Sequence, residues 1–294
     1  MKHIAVLLHE SIDHLNLSSG KTYLDGTLGA GGHVGEAIKR FGNNVRMIAL
    51  DANPLAIAHA QEKFAGVKNL TLVQSNFRNL DAVCAKLGVT GLDAILFDLG
   101  LSSDELETSG RGFSFQHDEP LDMRFDPQQP VSAATIVNIW KEETIADILF
   151  AYADERYAKR IAKAIVMARE AEKIETTLDL VDIIRSAVPA AYRNGKTNPA
   201  TKTFQALRMA VNDEVTAVKE GMEKGWHLLN AGGRFAIISF HSVEDREVKN
   251  FFRDKAKAGE GKLILKKPLA PTDGEMKANP RSRSAKLRVI EKLQ

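Results

Sequence analysis

The sequence predicts an α/β fold, a mostly parallel sheet interrupted by an all-helical insertion. Three observations predict it. The N-terminal third alternates short apolar runs with helical patterns, the signature of βαβ units. After a loop-like stretch to Pro130, only helical periodicity is found from Val131 to about Ala187. An apolar run, Arg234–Phe240, then resumes the strand pattern. The expected organisation is therefore a sheet domain in two parts, 1–104 and 198–294, around a helical domain at 105–197.

The elements follow in order. Thr22–Leu28 reads as a strand running into a Gly-rich turn, and Val34–Arg40 as a helix. Arg46–Leu50 is a second strand, closed by Asp51. Pro54 suits the first turn of a helix that runs to about Phe64. Leu70–Gln74 is a third strand. Asp93–Phe97 is a fourth and ends at Asp98. Gly100–Pro130 is rich in Ser, Gly, Asp and Pro and reads as an ordered loop. Helices fill Val131 to about Ala187. One begins near Asp154 with Ile161, Ile165 and Ala168 on one face, and another opens with the Thr176/Asp179 start signal. After the turn-rich Asn194–Pro199 a helix runs from Ala200 to about Lys219, and a second stops at Asn230-Ala231-Gly232-Gly233. Leu263–Leu265 and Leu287–Ile290 pair as a terminal hairpin around a basic loop.

Composition narrows the class. Of the 294 residues 44% are hydrophobic, enough for a core. No apolar run approaches the ~20 residues that span a bilayer, and Met1–Leu8 lacks the apolar segment of a signal peptide. The single cysteine, Cys84, excludes an internal disulfide. A soluble cytoplasmic protein with no membrane partner is expected. Net charge is +2 but unevenly placed. Residues 246–294 hold 14 Lys/Arg against 6 Asp/Glu, whereas the rest hold 26 against 32. A basic tail on an acidic body fits a polyanionic partner, and a solvated surface fits equally well.

Three features converge on a nucleotide-like cofactor. Asp25-Gly26-Thr27-Leu28-Gly29-Ala30-Gly31-Gly32-His33 joins a strand to a helix, where glycines let the backbone approach a ligand. Asp51 closes the next strand, about 20 residues further on, the usual place of a ribose-binding carboxylate. Asn76-Phe77 follows the third strand, where an amide and a ring suit an adenine. Ligands in open parallel sheets bind at these strand ends. Val34 stands where the dinucleotide fingerprint needs its third glycine, which argues against a dehydrogenase. Asp51 as a helix cap, Phe77 as core and His33 as a cap remain alternatives. His9-Glu10 with His14 has the wrong step for a zinc helix, so no metal is expected.

Asp98, after the fourth strand, is placed for the chemistry. An exocyclic amine conjugated to a ring is a poor nucleophile, and a carboxyl accepting its N–H aims the lone pair. Asp98 as a loop cap or as a purely cofactor-side contact remains open.

The stretches Val6–Glu10, Asp25–His33, Asp98–Ser103, Arg111–Phe115, Pro120–Arg124, Thr203–Arg208, Ser239–Arg246 and Asn279–Ser284 resemble the ribosomal RNA small-subunit methyltransferase H family. The matches run in order over nearly the whole chain. The resemblance implies a class I S-adenosylmethionine-dependent methyltransferase, a Rossmann-like sheet with a helical insertion. It implies methylation of the N4 amine of a cytosine in the decoding region of 16S ribosomal RNA, within the small subunit. It implies S-adenosylmethionine contacts at Gly31, Gly32, His33, Asp51, Phe77 and Asp98. Glu105 stands where the family has glutamine, and Asn198 and Lys202 stand where it has His and Arg. The sulfonium leaving group is already activated, so neither a metal nor a covalent nucleophile is required. A homodimer is compatible with the sequence.

The remaining motifs point to substrate. Arg111, Phe113 and Phe115 suit stacking on an unpaired base and holding a phosphate, or anchoring their own loop. Asp122, Arg124 and Asp126 suit a salt-bridged turn or substrate. His241 suits a base or phosphate contact, or a structural role, and Ser242 with Asp245 reads as a helix start. Arg281, Arg283, Lys286 and Arg288 are placed to track phosphates. Arg156, Lys159, Arg160 and Lys163 either extend that surface or form an ordinary solvated face.

Overall fold

The computed structural model describes residues 5–100 and 109–294. Its contacts divide the chain into two compact units, 1–102 with 215–294, and 103–214.

The first unit is built on a sheet. After α1 (Leu8–His14) come β1 (Thr22–Asp25), α2 (Gly32–Phe41), β2 (Arg46–Asp51), α3 (Pro54–Lys63), β3 (Leu70–Gln74), α4 (Leu80–Lys86) and β4 (Leu92–Asp98). The predicted strands are apolar throughout because both faces are covered. Neighbouring residues alternate between two cores. Leu24, Ile48, Ile95 and Phe97 pack with Trp226 and Phe252, whereas Tyr23, Met47, Ala94 and Leu96 pack with Leu7 and Ile12. Asn53 accepts the Leu55 N–H at 3.0 Å and Pro54 occupies the first turn, so α3 starts where the sequence places it. Cys84 is buried, and burial pushes its thiol up to about 11.

The second unit is helical. It contains α5 (Ala133–Ile139), α6 (Glu142–Ala153), α7 (Ala158–Ala171), α8 (Thr177–Ala187), α9 (Ala190–Arg193) and α10 (Thr201–Val211). The expected start at Thr176 is a reciprocal capping box with Asp179, and Ser132 with Thr135 makes another. α10 packs on α5 and α6. The helix expected to continue to Lys219 breaks at Asn212-Asp213. Asn212 donates from Nδ2 to the Met123 and Arg208 carbonyls, and Asp213 adopts φ +47°.

The chain then continues through α11 (Glu214–Leu228), β5 (Leu229–Ser239), α12 (Ser242–Lys257), β6 (Gly261–Leu263), α13 (Asp273–Ala278) and β7 (Lys286–Lys292). β5 starts earlier than expected, because Asn230–Gly233 forms an irregularity in its ladder with β4 rather than a helix stop. Strand order is β3-β2-β1-β4-β5-β7-β6. The first five strands are parallel, and β7 lies antiparallel between β5 and β6, which realises the terminal hairpin. Asp25, Asp51 and Asp98 all close neighbouring parallel strands, so their carboxyls share the C-terminal edge of the sheet.

Candidate cofactor and methyl-transfer site

The β1–α2 turn sets the site. Gly31, the N-cap of α2, has φ +70°, and a Cβ there would lie 2.7 Å from the Phe64 ring. A Cβ on Gly32 would lie 2.5 Å from that of Ala5. Internal packing thus demands both glycines. The Gly31 N–H donates to the Leu28 carbonyl at 2.8 Å, and among the described residues no side chain caps the start of α2, whose first-turn amides form the positive end of the helix. Across the turn, Asp51 accepts the Gly29 N–H at 2.8 Å and the Asn53 N–H at 2.8 Å, which ties the β2 tip to the glycine turn.

Phe77 follows β3 and is half-buried, its ring 4.7 Å from that of Phe97. Asn76 is committed beside it, accepting the Arg78 N–H. His33 is buried, and its Nε2–H donates to the Val6 carbonyl at 3.2 Å. Its Nδ1 then lies 3.8 Å from Asp98 Oδ2. Glu105 lies outside the described residues.

Asp98 sits in an unusual field. Its backbone N–H donates to Thr27 Oγ1 at 2.6 Å, while Oδ1 is shut off from solvent and accepts no hydrogen bond among the described residues. Two other carboxyls stand near. Asp25, 1% exposed, accepts the Thr27 N–H at 3.0 Å and the Tyr23 hydroxyl at 3.1 Å. Glu244, at the start of α12, is buried beside β5 and accepts the Phe240 N–H. Burial first, then the negative fields of Asp25 and Glu244, hold the Asp98 carboxyl well above its ordinary range. Burial also pushes Asp25 up, to about 6 against an ordinary 3.8. Its place after the fourth strand picked out Asp98 in the sequence, but no role was assigned to Asp25 or Glu244. The visible signal was an aspartate closing each of three parallel strands.

His241, not Ser242, caps α12. Its Nδ1 accepts the Glu244 N–H at 3.3 Å, so the proton is on Nε2, 3.1 Å from Glu244 Oε1 but out of hydrogen-bond alignment. An imidazole so fixed is structural first. The zinc-like His9 lies against Glu36 and Arg40.

The residues expected to meet substrate separate into two groups. In the helical unit Arg111 donates to the Arg124 and Phe125 carbonyls, and its guanidinium lies 5.4 Å over the Phe113 ring. Phe113 is 6% exposed and stacks on Phe125, and Phe115 meets Phe204 edge-on at 5.1 Å. These three frame their own loop. Asp122 and Arg124 form the salt-bridged turn, through two hydrogen bonds of 2.7–2.8 Å.

Arg281 and Arg283 are exposed on a short 3₁₀ turn, Pro280–Ser284, anchored by the buried Ser282. Lys286 and Arg288, expected to track phosphates, are instead held by Asp245, Arg288 through two hydrogen bonds of 2.7 and 3.2 Å and Lys286 at 3.1 Å. Burial alone would raise the Asp245 carboxyl, but these two cations hold it below its ordinary range. Asp245→Ala strands the Arg288 guanidinium, 13% exposed, and is expected to cost about 3 kcal/mol. That loss, read from denaturant midpoints, should be present at neutral pH. It should shrink as wild-type Asp245 itself protonates, below the ordinary carboxylate range.

A family model described as the MraW methylase family matches residues 1–293. Among curated relatives, the ribosomal RNA small subunit methyltransferase H of Heliobacterium modesticaldum is 46% identical, over 99% of this chain and 98% of the relative. Its namesake from Limosilactobacillus fermentum is 43% identical over the same shares. A solved rRNA methylase from Streptococcus thermophilus aligns over 99% of each chain with 14% identity and a TM-score of 0.48.

Proposed function

We propose, on the premise that this chain belongs to the MraW methylase family, that the acidic strand tips and the glycine turn seat a sulfonium methyl donor beside an RNA base. The chain is an S-adenosylmethionine-dependent methyltransferase. Its acceptor is the exocyclic N4 amine of a cytosine in small-subunit ribosomal RNA.

The observation that carries the site assignment is the sign of the charge. Asp25 and Asp98 hold destabilised negative charge at adjoining strand tips, and the buried Glu244 adds to the field on Asp98. A cationic sulfonium relieves that repulsion, whereas the pyrophosphate of a dinucleotide would add to it. The donor's own chemistry is an activated methyl group and a neutral thioether leaving group. The Gly32 amide at the start of α2 suits its carboxylate, while the Gly31 N–H stays on the Leu28 carbonyl. Asp51 suits its ribose hydroxyls, Phe77 its purine, and His33 holds position next to Asp98.

Asp98 then acts on the amine. Its carboxylate accepts the N4–H and turns the nitrogen lone pair toward the methyl group. The carboxyl gains proton affinity when the adjacent positive charge disappears, because burial, Asp25 and Glu244 again disfavour its charge. Asp98 therefore takes up the amine proton as the methyl group is transferred.

The target cytosine is unpaired or flipped, since a stacked base cannot reach a buried carboxyl. Arg281 and Arg283 meet its phosphates. The reading extends to the decoding region of 16S RNA in the small subunit and to the cytoplasm, and it requires no second copy of the chain. No helix among the described residues is long and apolar enough to cross a membrane. Mapping methylated cytosines in small-subunit RNA of a deletion strain tests the substrate. One N4-methyl mark should vanish and return on complementation, and an unchanged map overturns the assignment.

A further inference from the structure

We propose that the solvent face of α7 and the tyrosine pair at its start form a docking surface for the backbone of single-stranded RNA. This rests on the RNA-methylating function proposed above and adds a binding surface in the helical unit.

The stripe runs along one helix. α7 buries Ala158, Ile161, Ala162 and Ile165. Lys159, Arg160 and Lys163 recur at three- and four-residue steps on the other side, Arg156 stands two residues before the helix, and all four are exposed. Among the described residues none of them has a carboxylate partner. The arrangement works against the helix. Like charges three and four residues apart repel. Cations in the first turn also oppose the positive end of the helix dipole, and α7 has no acidic residue there. A stable helix gains nothing from this pattern. A polyanion laid along it gains from both the cations and the dipole.

The start of the stripe is built rigidly. The Arg156 guanidinium lies 4.8 Å from the Tyr157 ring centroid and 4.7 Å from that of Tyr192. The two rings meet edge-on at 5.0 Å. Glu155, fully buried, fixes the group from beneath. It accepts the Tyr192 hydroxyl at 2.6 Å and the Tyr157 N–H at 2.8 Å. Arg160 also lies 5.9 Å from the Tyr157 ring centroid. An exposed guanidinium pinned on aromatic rings is a stacking platform for a base, followed along the helix by three cations for phosphates. Planar stacking groups distinguish this surface from one made for anionic lipid.

The test compares wild type with Lys159→Gln/Arg160→Gln/Lys163→Gln and a charge-matched control, Lys141→Gln/Lys173→Gln/Arg185→Gln, exposed elsewhere on the same unit. Binding of a labelled single-stranded RNA is followed against salt, with thermal unfolding as the fold check. The stripe variant should bind at least about tenfold more weakly at low salt, with a salt slope smaller by about 2, while the control keeps both. Its KM for small-subunit RNA should rise with kcat unchanged. Arg156→Lys should weaken binding at an unchanged slope, because the charge stays and the plane goes. A stripe variant with wild-type affinity and slope overturns the proposal, and so does one that loses only binding to phosphatidylglycerol vesicles. A wild-type chain that neither binds nor methylates small-subunit RNA instead overturns the functional reading beneath it.

Discussion

Asp98→Ala is expected to lower the rate of methyl transfer by about 10²–10³-fold or more, the usual cost of removing one preorganised polar group from a reacting centre. The variant should also separate two ligands that differ in charge. S-adenosylmethionine carries a sulfonium, and S-adenosylhomocysteine is neutral at sulfur. Asp98 faces Asp25, Glu244 and Tyr23, with His33 Nδ1 3.8 Å away, and its carboxyl is held well above the ordinary range. A cation favours the ionised form, so binding the sulfonium should expel a proton, and affinity should rise with pH until Asp98 is ionised in the free protein. Calorimetry in buffers of different ionisation enthalpy counts that proton. Asp98→Ala should lose both the proton and the preference for the charged ligand. Equal losses for both ligands would reduce Asp98 to a shape-filling contact. Asp98→Asn keeps an acceptor oxygen and the shape but cannot take up the amine proton, so near-normal turnover in that variant would remove the proton step.

Much of this site was legible before the structure, and the omissions have physical causes. Strands buried on both faces must be continuous apolar runs, so β2 to β4 fell within a residue of their bounds, whereas β1 stops at Asp25, three residues before the expected Leu28. The seven-residue helices α1 and α4 carry too few turns for a period to show. The break at Asn212-Asp213 has no Gly or Pro to announce it, because a tertiary hydrogen bond to Met123 and a local one to Arg208 hold it. The packing of α10 on α5 and α6 is a matter of faces that periodicity does not assign. Within the candidate site, spacing singled out Gly31 and Asp51, which lie on one βαβ unit, and Asp98 was singled out by its place after the fourth strand. Glu244 reaches Asp98 only because β5 docks beside β4, a pairing with no local signature. His241 looked chemical because its side chain is, yet its Nδ1 is committed to capping a helix.

Asp25→Asn is expected to stabilise the chain at neutral pH while weakening its grip on the cationic donor. Asp25 titrates near 6 in the folded chain against an ordinary 3.8, because burial disfavours its charge. Between those values the folded chain keeps a proton that the unfolded chain has released. Stability therefore falls as pH rises through that window, by about 3 kcal/mol for a shift of this size. An asparagine carries no such penalty, and its Oδ1 can still accept the Thr27 N–H. Parallel denaturant titrations should find the two proteins similar near pH 4 and Asp25→Asn ahead by about 1–3 kcal/mol above pH 7. An offset that does not change with pH would refute the buried-charge account. The variant also removes one of the two fields that raise Asp98, so Asp98 ionises at lower pH and binding of the donor expels less of a proton. Saturating S-adenosylmethionine should then stabilise wild type more than the variant. A chain that keeps an acid in this place accepts lower stability when empty, and the repulsion is relieved only when a positive charge arrives between the strand tips.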